Sequence, residues 1–274
     1  MKVPTIDKAV ILARGLGTRM IKRNDAARLD ARQAAVADTG IKALIPIDRP
    51  FLDYVLSVLA QAGYRRVCLV IGPEHHELRD YYGNQLKTKR LEISFAVQSQ
   101  PLGTADAVLA TEAFADGDDF VVINSDNYYP FEALSGLRQL NGAGAALFDR
   151  QSMFVGSNIP PERLRAFAVV KVSEDGYLQK IIEKPDEQTL RSLPEPTYVS
   201  MNCWRFSPVI FEACRRIGPS PRGELELPDA VQYAIDVLAE RFKVITVRGA
   251  VLDLSYRSDV LPVARKLANV EVKL

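Results

Sequence analysis

Short apolar runs alternate with amphipathic stretches along the first half of the chain. KAVILA (residues 8–13) is a continuous apolar run of buried-strand length. From Phe51, apolar residues at 51, 52, 55, 58, 59 and 62 mark one helical face, and Gly63 ends it. RRVCLVIG (65–72), LEISFAVQ (91–98) and DDFVVINSD (118–126) read as further strands. Between them, EHHELRDYYG reads as a short polar helix and TADAVLATEAF (104–114) as a second amphipathic one. This alternation predicts an α/β fold with a mainly parallel sheet covered by helices on both faces.

The second half is less regular. FAVVKV and YLQKIIEK form a predicted hairpin across the SEDG turn at 173–176. YVSMNCWRF (198–206) is a strand, SPVIFEACRRIG a helix, and ELPDAVQYAIDVLAERF a longer helix starting after Leu227. A strand, FKVITVRG, and an amphipathic helix from about Ser258 follow. There is no internal repeat, and the Pro-rich SLPEPT (192–197) reads as a loop because strands resume at once. Residues 21–39 differ from the rest, being rich in Ala, Arg and Asp with few large apolar side chains. Asn24 or Asp25 can cap a short helix there that Gly40 ends. Such a helix cannot be a core element. A surface cover is favoured over a lid on the preceding loop.

Composition narrows the function classes. The 274 residues fit one large domain or two small ones, and 47% of them are hydrophobic, enough for a sizeable core. Lys+Arg 35 against Asp+Glu 34 gives no general attraction to nucleic acid or membranes, while leaving room for a local basic pocket. Cys68, Cys203 and Cys214 lack CxxC spacing, which favours buried thiols in a reducing compartment. No signal-peptide layout or membrane-length apolar run is present, so a soluble cytoplasmic protein is expected. His75 and His76 are the only histidines; helical neighbours diverge by about 100°, so they do not share a metal, and a surface position is expected.

The candidate chemistry starts where the first strand enters two glycines, Gly15 and Gly17. A Walker-type ATP loop needs Gly-Lys-Ser/Thr, which is absent. The dinucleotide fingerprint needs a third glycine where Met20 stands, and an acidic end to the second strand, which ends in glycine. What remains is Gly-x-Gly-Thr-Arg, open backbone amides followed by a cation, suited to a triphosphate. A glycine turn without a ligand is the competing reading.

LARGLGTR (12–19) resembles the signature of sugar-phosphate nucleotidyltransferases (NDP-sugar pyrophosphorylases), whose usual form is Leu-Ala-Ala/Gly-Gly-x-Gly-Thr-Arg. Further motifs of that family follow in its order: IKALIPI (41–47), VQSQPLGTADAV (97–108), INSDNYY (123–129) and IIEKP (181–185). SPRGELELPDAV (220–231) looks very like the corresponding run of glucose-1-phosphate thymidylyltransferases, and VLDLSYRSDVL (251–261) stands where the family carries Asp-x-Gly-Thr-x-x-Asp. The resemblance covers essentially the whole chain and is closest to thymidylyl- and uridylyltransferases. It implies a Rossmann-like (GT-A-like), mainly parallel mixed sheet in a single domain. Within that domain it implies a nucleotide part of about 1–130, a sugar part of about 131–274 and a polar insertion at 21–39.

It also implies site residues. Arg19, Lys42, Asp126 and Lys184 are the expected catalytic set, with Arg19 on the β/γ-phosphates and Lys42 near the α-phosphate. Leu12, Ala13, Gly15, Gly17, Thr18, Gln98, Gly103 and Thr104 would bind nucleotide. Gln98 would read the base by donating and accepting side by side, Gly103 would permit its close approach, and Thr104 could instead cap the next helix. Ala168, Glu183, Lys184, Asn202 and Arg222 would face the sugar phosphate, and Arg222 beside Glu224 and Glu226 also reads as a plain loop cation. Asp126 and Asp253 match the family's metal aspartates, for Mg²⁺. Tyr128 and Tyr129 are as suited to packing as to stacking on a ligand.

Four departures stand out: Arg14 where a small residue is usual, Ser125, Ala168 and Asn202 where glycines are usual, the altered Asp253 context, and the wide Arg19–Lys42 spacing. The expected reaction is Mg²⁺-dependent transfer from an NTP, UTP or dTTP favoured, to a sugar 1-phosphate, with NTP and sugar 1-phosphate as partners, no nucleic acid, no membrane, and homo-oligomerisation open. Alternatives are a guanylyl- or cytidylyltransferase for mannose, heptose or another phosphorylated alcohol, or a degenerate regulator that binds nucleotide sugars. A dehydrogenase fails at Met20.

Overall fold

The computed structural model describes residues 5–24 and 27–274. Strand β1 (Lys8–Leu12) is buried along its length and sits between two parallel neighbours, β2 (Arg66–Ile71) and β4 (Phe120–Asn124), with Ala9 opposite both Val67 and Val121. β3 (Glu92–Val97) adds in parallel to β2. On the other side of β4 runs the longest strand, β9 (Tyr198–Phe206), and it is antiparallel. Beyond it lie β6 (Gly144–Asp149) and β10 (Lys243–Val247), giving the order β10-β6-β9-β4-β1-β2-β3. The hairpin β7 (Val169–Val172) and β8 (Leu178–Ile182) attaches to β9 through Val169. A separate two-stranded ribbon joins β5 (Asn127–Tyr128) to β11 (Leu252–Asp253). The sheet is therefore mixed, its parallel half carried by the first half of the chain as the alternation predicted.

Alternate residues of β1 feed two cores. Ala9 and Ile11 join the layer of α3 (Phe51–Ala62), α7 (Phe131–Gln139) and α13 (Val260–Leu267). Val10 and Leu12 join that of α5 (Thr104–Leu109), α11 (Val209–Arg216) and α12 (Leu227–Asp236) on the opposite face. Period-two alternation of a strand buried on both sides makes this division. α3 is buried almost all round, beyond the single face its apolar spacing suggested. Its Asp53 is fully buried and accepts from Arg49 Nε at 2.7 Å, Tyr81 Oη at 3.1 Å and Tyr82 Oη at 3.0 Å.

Several expectations need correction. The stretch 104–114 is two helices, α5 and α6 (Glu112–Ala115), because the Thr111 hydroxyl donates back to Val108 O at 2.7 Å and ends the first. The helix from Leu227 stops at Asp236, and the last one starts at Val260. In the insertion, α2 (Ala31–Thr39) is capped by Asp30 rather than Asn24, through a capping box with Gln33; Asp25 lies outside the described residues. Gly40 does end it, at φ +77°. His75 is buried, not a surface residue: it precedes α4 (His76–Asp80), and its Nδ1 accepts from Gly72 N at 3.2 Å. Cys68, Cys203 and Cys214 are buried free thiols, and burial pushes all three up, Cys68 to about 11. Among the described residues no helix is long and apolar enough to cross a membrane.

Candidate active site

The glycine loop leaves β1 at its carboxyl end, where open α/β sheets place ligands. Ala13 N still donates to Val70 O at 2.9 Å, and the chain then turns through Gly15 and Gly17 into α1 (Thr18–Ile21). Fully buried Met20 anchors that turn in the core. Gly17 is left-handed at φ +59°, and a Cβ there would collide with the Gly40 carbonyl; a Cβ on Gly40 would lie 2.7 Å from Leu16 O. The insertion helix thus ends directly on the loop. Arg257 ties the same region from the far end of the sequence: its Nε donates to Met20 O at 2.8 Å, its Nη2 to Ile21 O at 3.2 Å, and it forms an ion pair with Asp38 of α2.

A cavity of about 420 Å³ opens over the ends of β1, β3 and β4. All eight residues expected to bind nucleotide line it, from Leu12 through Thr104, together with Lys42 and Asp126. Arg19 is not among the lining residues; it is exposed, with its guanidinium 5.7 Å from the centre of the Tyr256 ring. Lys42, on a 3₁₀ turn, donates to Asp126 Oδ2. Gln98 is buried and its amide is already engaged, donating to Gly103 O at 2.9 Å and Asp106 Oδ2 at 2.8 Å. Only its carbonyl oxygen remains, so the donate-and-accept reading is corrected to accept alone. Gly103, at φ +122°, is required by the Leu225 backbone, whose N would lie 2.6 Å from a Cβ. Thr104 does not cap α5, which it begins; its Oγ1 accepts from Leu227 N at 2.8 Å, at the start of α12.

Asp126 and Asp253, 127 positions apart, are brought together by the β5–β11 ribbon, in which Asp253 lies opposite Asn127. Asn127 Nδ2 donates to Asp253 Oδ1 at 3.1 Å, and Ser255 Oγ donates to the same atom at 2.9 Å. Burial, and secondly the charge of Asp126, push the Asp253 carboxyl up, against the pull of Arg163. Arg163, on the short α9 (Pro161–Leu164), pairs with Asp253 Oδ2, bonds both oxygens of Asp259 at 2.8 and 3.0 Å, and lies 4.6 Å from the Tyr256 ring centre. Two hard carboxylates that repel each other fit Mg²⁺. No group of three or more His, Cys, Asp or Glu among the described residues could hold a metal, so substrate phosphates would have to complete its shell.

A second cavity, about 240 Å³, gathers Glu183, Lys184 and Arg222 with Glu226 and Asp229. Burial holds the Glu183 carboxyl above its usual range, and Glu226 and Asp229 add to this against Arg222. Arg222 pairs with Glu226 at 2.8 Å, and Lys184 is left-handed at φ +44°. Ala168 and Asn202 do not line this cavity. Ala168 O accepts from Ser200 N at 2.9 Å, and Asn202, at φ +52°, accepts from Trp204 Nε1 at 3.3 Å. The two cavities are stitched together where Leu225 N donates to Leu102 O at 2.7 Å and Ala105 N to Leu225 O at 2.9 Å. Tyr129 is fully buried and donates to Met201 O at 2.7 Å, a packing role. No motif marks Arg163 in the sequence, while Tyr256 and Arg257 sit among the substitutions around Asp253.

The nucleotidyl transferase family description matches residues 36–250, and the chain belongs to that family. A glucose-1-phosphate thymidylyltransferase of Streptomyces griseus is 32% identical over 230 residues, covering 84% of this chain and 57% of the relative. A low-salt glycan biosynthesis nucleotidyltransferase of Haloferax volcanii is 30% identical over 241 residues, covering 84% and 59%. The chain thus spans little more than half the length of these relatives. A UDP-glucose pyrophosphorylase solved with UDP-glucose superposes at a TM-score of 0.74 and 19% identity, covering 97% of this chain and all of that one, a likeness of fold.

Proposed function

We propose that this nucleotidyl transferase family member moves a nucleotidyl group from an NTP, UTP or dTTP favoured, onto a sugar 1-phosphate. A phosphate oxygen of the sugar 1-phosphate attacks the α-phosphorus, the bond from that phosphorus to the bridging oxygen breaks, and pyrophosphate leaves. The nucleophile is already anionic, so positioning and charge neutralisation are the task, without a strong base. The observation that carries the reading is the meeting of Asp126 and Asp253 beside Lys42, at the edge of the glycine-loop cavity.

The loop's amides would cradle the triphosphate, Arg19 would swing from Tyr256 to the departing pyrophosphate, and Lys42 would exchange Asp126 for the α-phosphate. Asp126 and Asp253 would hold Mg²⁺, which when bound supplies positive charge at the reacting phosphates. Glu183 would accept from sugar hydroxyls, with Lys184 and Arg222 on the sugar phosphate. A GT-A-like arrangement, with a nucleotide part before about 130 and a sugar part after it, is supported by the lining of the two cavities. The first draws almost wholly on residues up to Asp126, the second on residues from Glu183 onward. Three buried thiols suit a reducing cytoplasm.

A matrix of nucleotides against sugar 1-phosphates, read as product mass and pyrophosphate release, tests this. A nucleotide-sugar product with UTP or dTTP is expected. Product only with GTP or CTP would instead support the guanylyl or cytidylyl alternative. No turnover with any pair, alongside measurable nucleotide-sugar binding, would replace the enzyme reading with a regulator.

A further inference from the structure

Asp253 has one oxygen left to offer a metal, and Arg163 sits on it. Oδ1 accepts from both Asn127 Nδ2 at 3.1 Å and Ser255 Oγ at 2.9 Å, which uses its two lone pairs, while Oδ2 accepts from Arg163. The carboxylate is held in place from behind. Asn158 Oδ1 accepts from Asp253 N and Asn158 Nδ2 donates to Asp253 O, both at 2.8 Å. Asp253 is 5% exposed and is not among the residues lining the glycine-loop cavity, whereas Asp126 is. A divalent ion shared by the two aspartates therefore has to take Oδ2, where the charge of the guanidinium opposes it.

Arg163 can yield that oxygen and keep its other partners. Its Nη1 bonds both oxygens of Asp259, at 2.8 and 3.0 Å, and its guanidinium lies 4.6 Å from the Tyr256 ring centre. Asp259 is itself fixed, its Oδ2 accepting from Ser255 N at 3.0 Å and Tyr256 N at 2.8 Å. Asp259 and Tyr256 thus form a resting place that does not depend on Asp253. At 22% exposure the Arg163 side chain is not locked in the core either.

We infer that Arg163 competes with the divalent ion for Asp253 Oδ2. The protein by itself then holds the ion weakly and takes it up in company with a triphosphate, whose negative charge offsets the guanidinium. Arg163 is a positioning residue in this role, acting on the reaction only through Asp253. The inference rests on the nucleotidyl-transfer reading, in which Asp126 and Asp253 hold Mg²⁺, and adds the residue that decides when Asp253 is open to it.

Titration of the full chain with Mn²⁺ in the absence of nucleotide, followed by the paramagnetic resonance signal of the free ion, tests it. Arg163→Gln should bind Mn²⁺ about 10- to 100-fold more tightly than the wild type, the range of the charged hydrogen bond that no longer competes. Adding Asp253→Asn to Arg163→Gln should erase that gain. Arg163→Lys keeps a charge but not the fork, so it should fold and bind Mn²⁺ with intermediate affinity, which keeps the question answerable should the glutamine variant not fold. A purely structural ion pair would lower the melting temperature of these variants without tightening Mn²⁺. That result would overturn the inference, as would a gain that survives Asp253→Asn. Calorimetric titration of the wild type with the Mn²⁺ complex of UTP separates the two levels. Binding of that complex, with equal Mn²⁺ affinities in wild type and variants, would overturn this inference alone. Failure to bind Mn²⁺ or its complexes with UTP, GTP or CTP would overturn the nucleotidyl-transfer reading, and this inference with it.

Discussion

Gly17 and Gly40 face each other with no room for a side chain on either: the glycine loop and the end of the insertion helix are in backbone contact. The two residues are 23 positions apart, and both are left-handed, at φ +59° and +77°. The insertion is therefore built into the glycine loop's geometry.

Replacing Gly40 with alanine should cost stability twice, through the left-handed backbone and through the 2.7 Å approach to Leu16 O. We expect a loss of about 1–3 kcal/mol in urea unfolding, with a higher KM for NTP. Gly15→Ala is the contrasting case. Its Cβ meets nothing within 4 Å, so stability should hold while KM for NTP still rises, because Gly15 lines the cavity. A destabilised Gly15→Ala protein would contradict this division.

Asp126→Asn should lower kcat by at least about a hundredfold, the scale of losing one charge-stabilising group at a reacting centre. Nucleotide affinity should fall much less. Near wild-type turnover would remove Asp126 from the metal role.

Arg163→Ala strands the buried Asp253 carboxylate beside Asp126. Breaking such a pair should destabilise the fold by about 2–4 kcal/mol, scaled down slightly because Arg163 is partly exposed. Mg²⁺ should then raise the melting temperature of the variant more than that of the wild type, since an added cation replaces the lost one. Equal Mg²⁺ shifts in both proteins would argue against a metal at Asp253.

His75 sets a pH dependence. Burial lowers its pKa below the ordinary value of 6.5, and its Nδ1 must be unprotonated to accept from Gly72 N. In the window between the two values the unfolded chain binds more protons, so stability rises with pH. The contribution is complete above about pH 6.5 and is lost as pH falls through the folded value. Urea midpoints measured between pH 5 and 7.5 should show a shallower slope in His75→Asn. An unchanged slope would place the dependence elsewhere.

Much of this was legible because it is local. The apolar run at 8–13 and the face from Phe51 to Gly63 locate β1 and α3, since strand and helix periods are set by nearest neighbours. Ordered motifs located most of the cavity lining for the same reason. What escaped was tertiary. Gln98 reads as a versatile amide until Gly103 and Asp106 take both its hydrogens, and His75 looks like a surface residue until Gly72 folds onto it. Arg163 carries no motif; it matters because β11 delivers Asp253 to it. The antiparallel insertion of β9 among parallel strands is likewise a matter of long-range pairing that no local pattern encodes.

That placement of β9 limits how the molecule can be divided. Phe120, Val121 and Val122 on β4 lie opposite Phe206, Arg205 and Trp204 in the antiparallel ladder with β9. A fragment cut near residue 130 would keep the whole glycine loop and lose those partners, leaving an apolar strand with an open edge, the kind of surface that templates aggregation. The two halves of the chain are thus not interchangeable modules. A chimera that grafts a relative's second half onto this glycine loop must import a β9 whose residues match the register of β4.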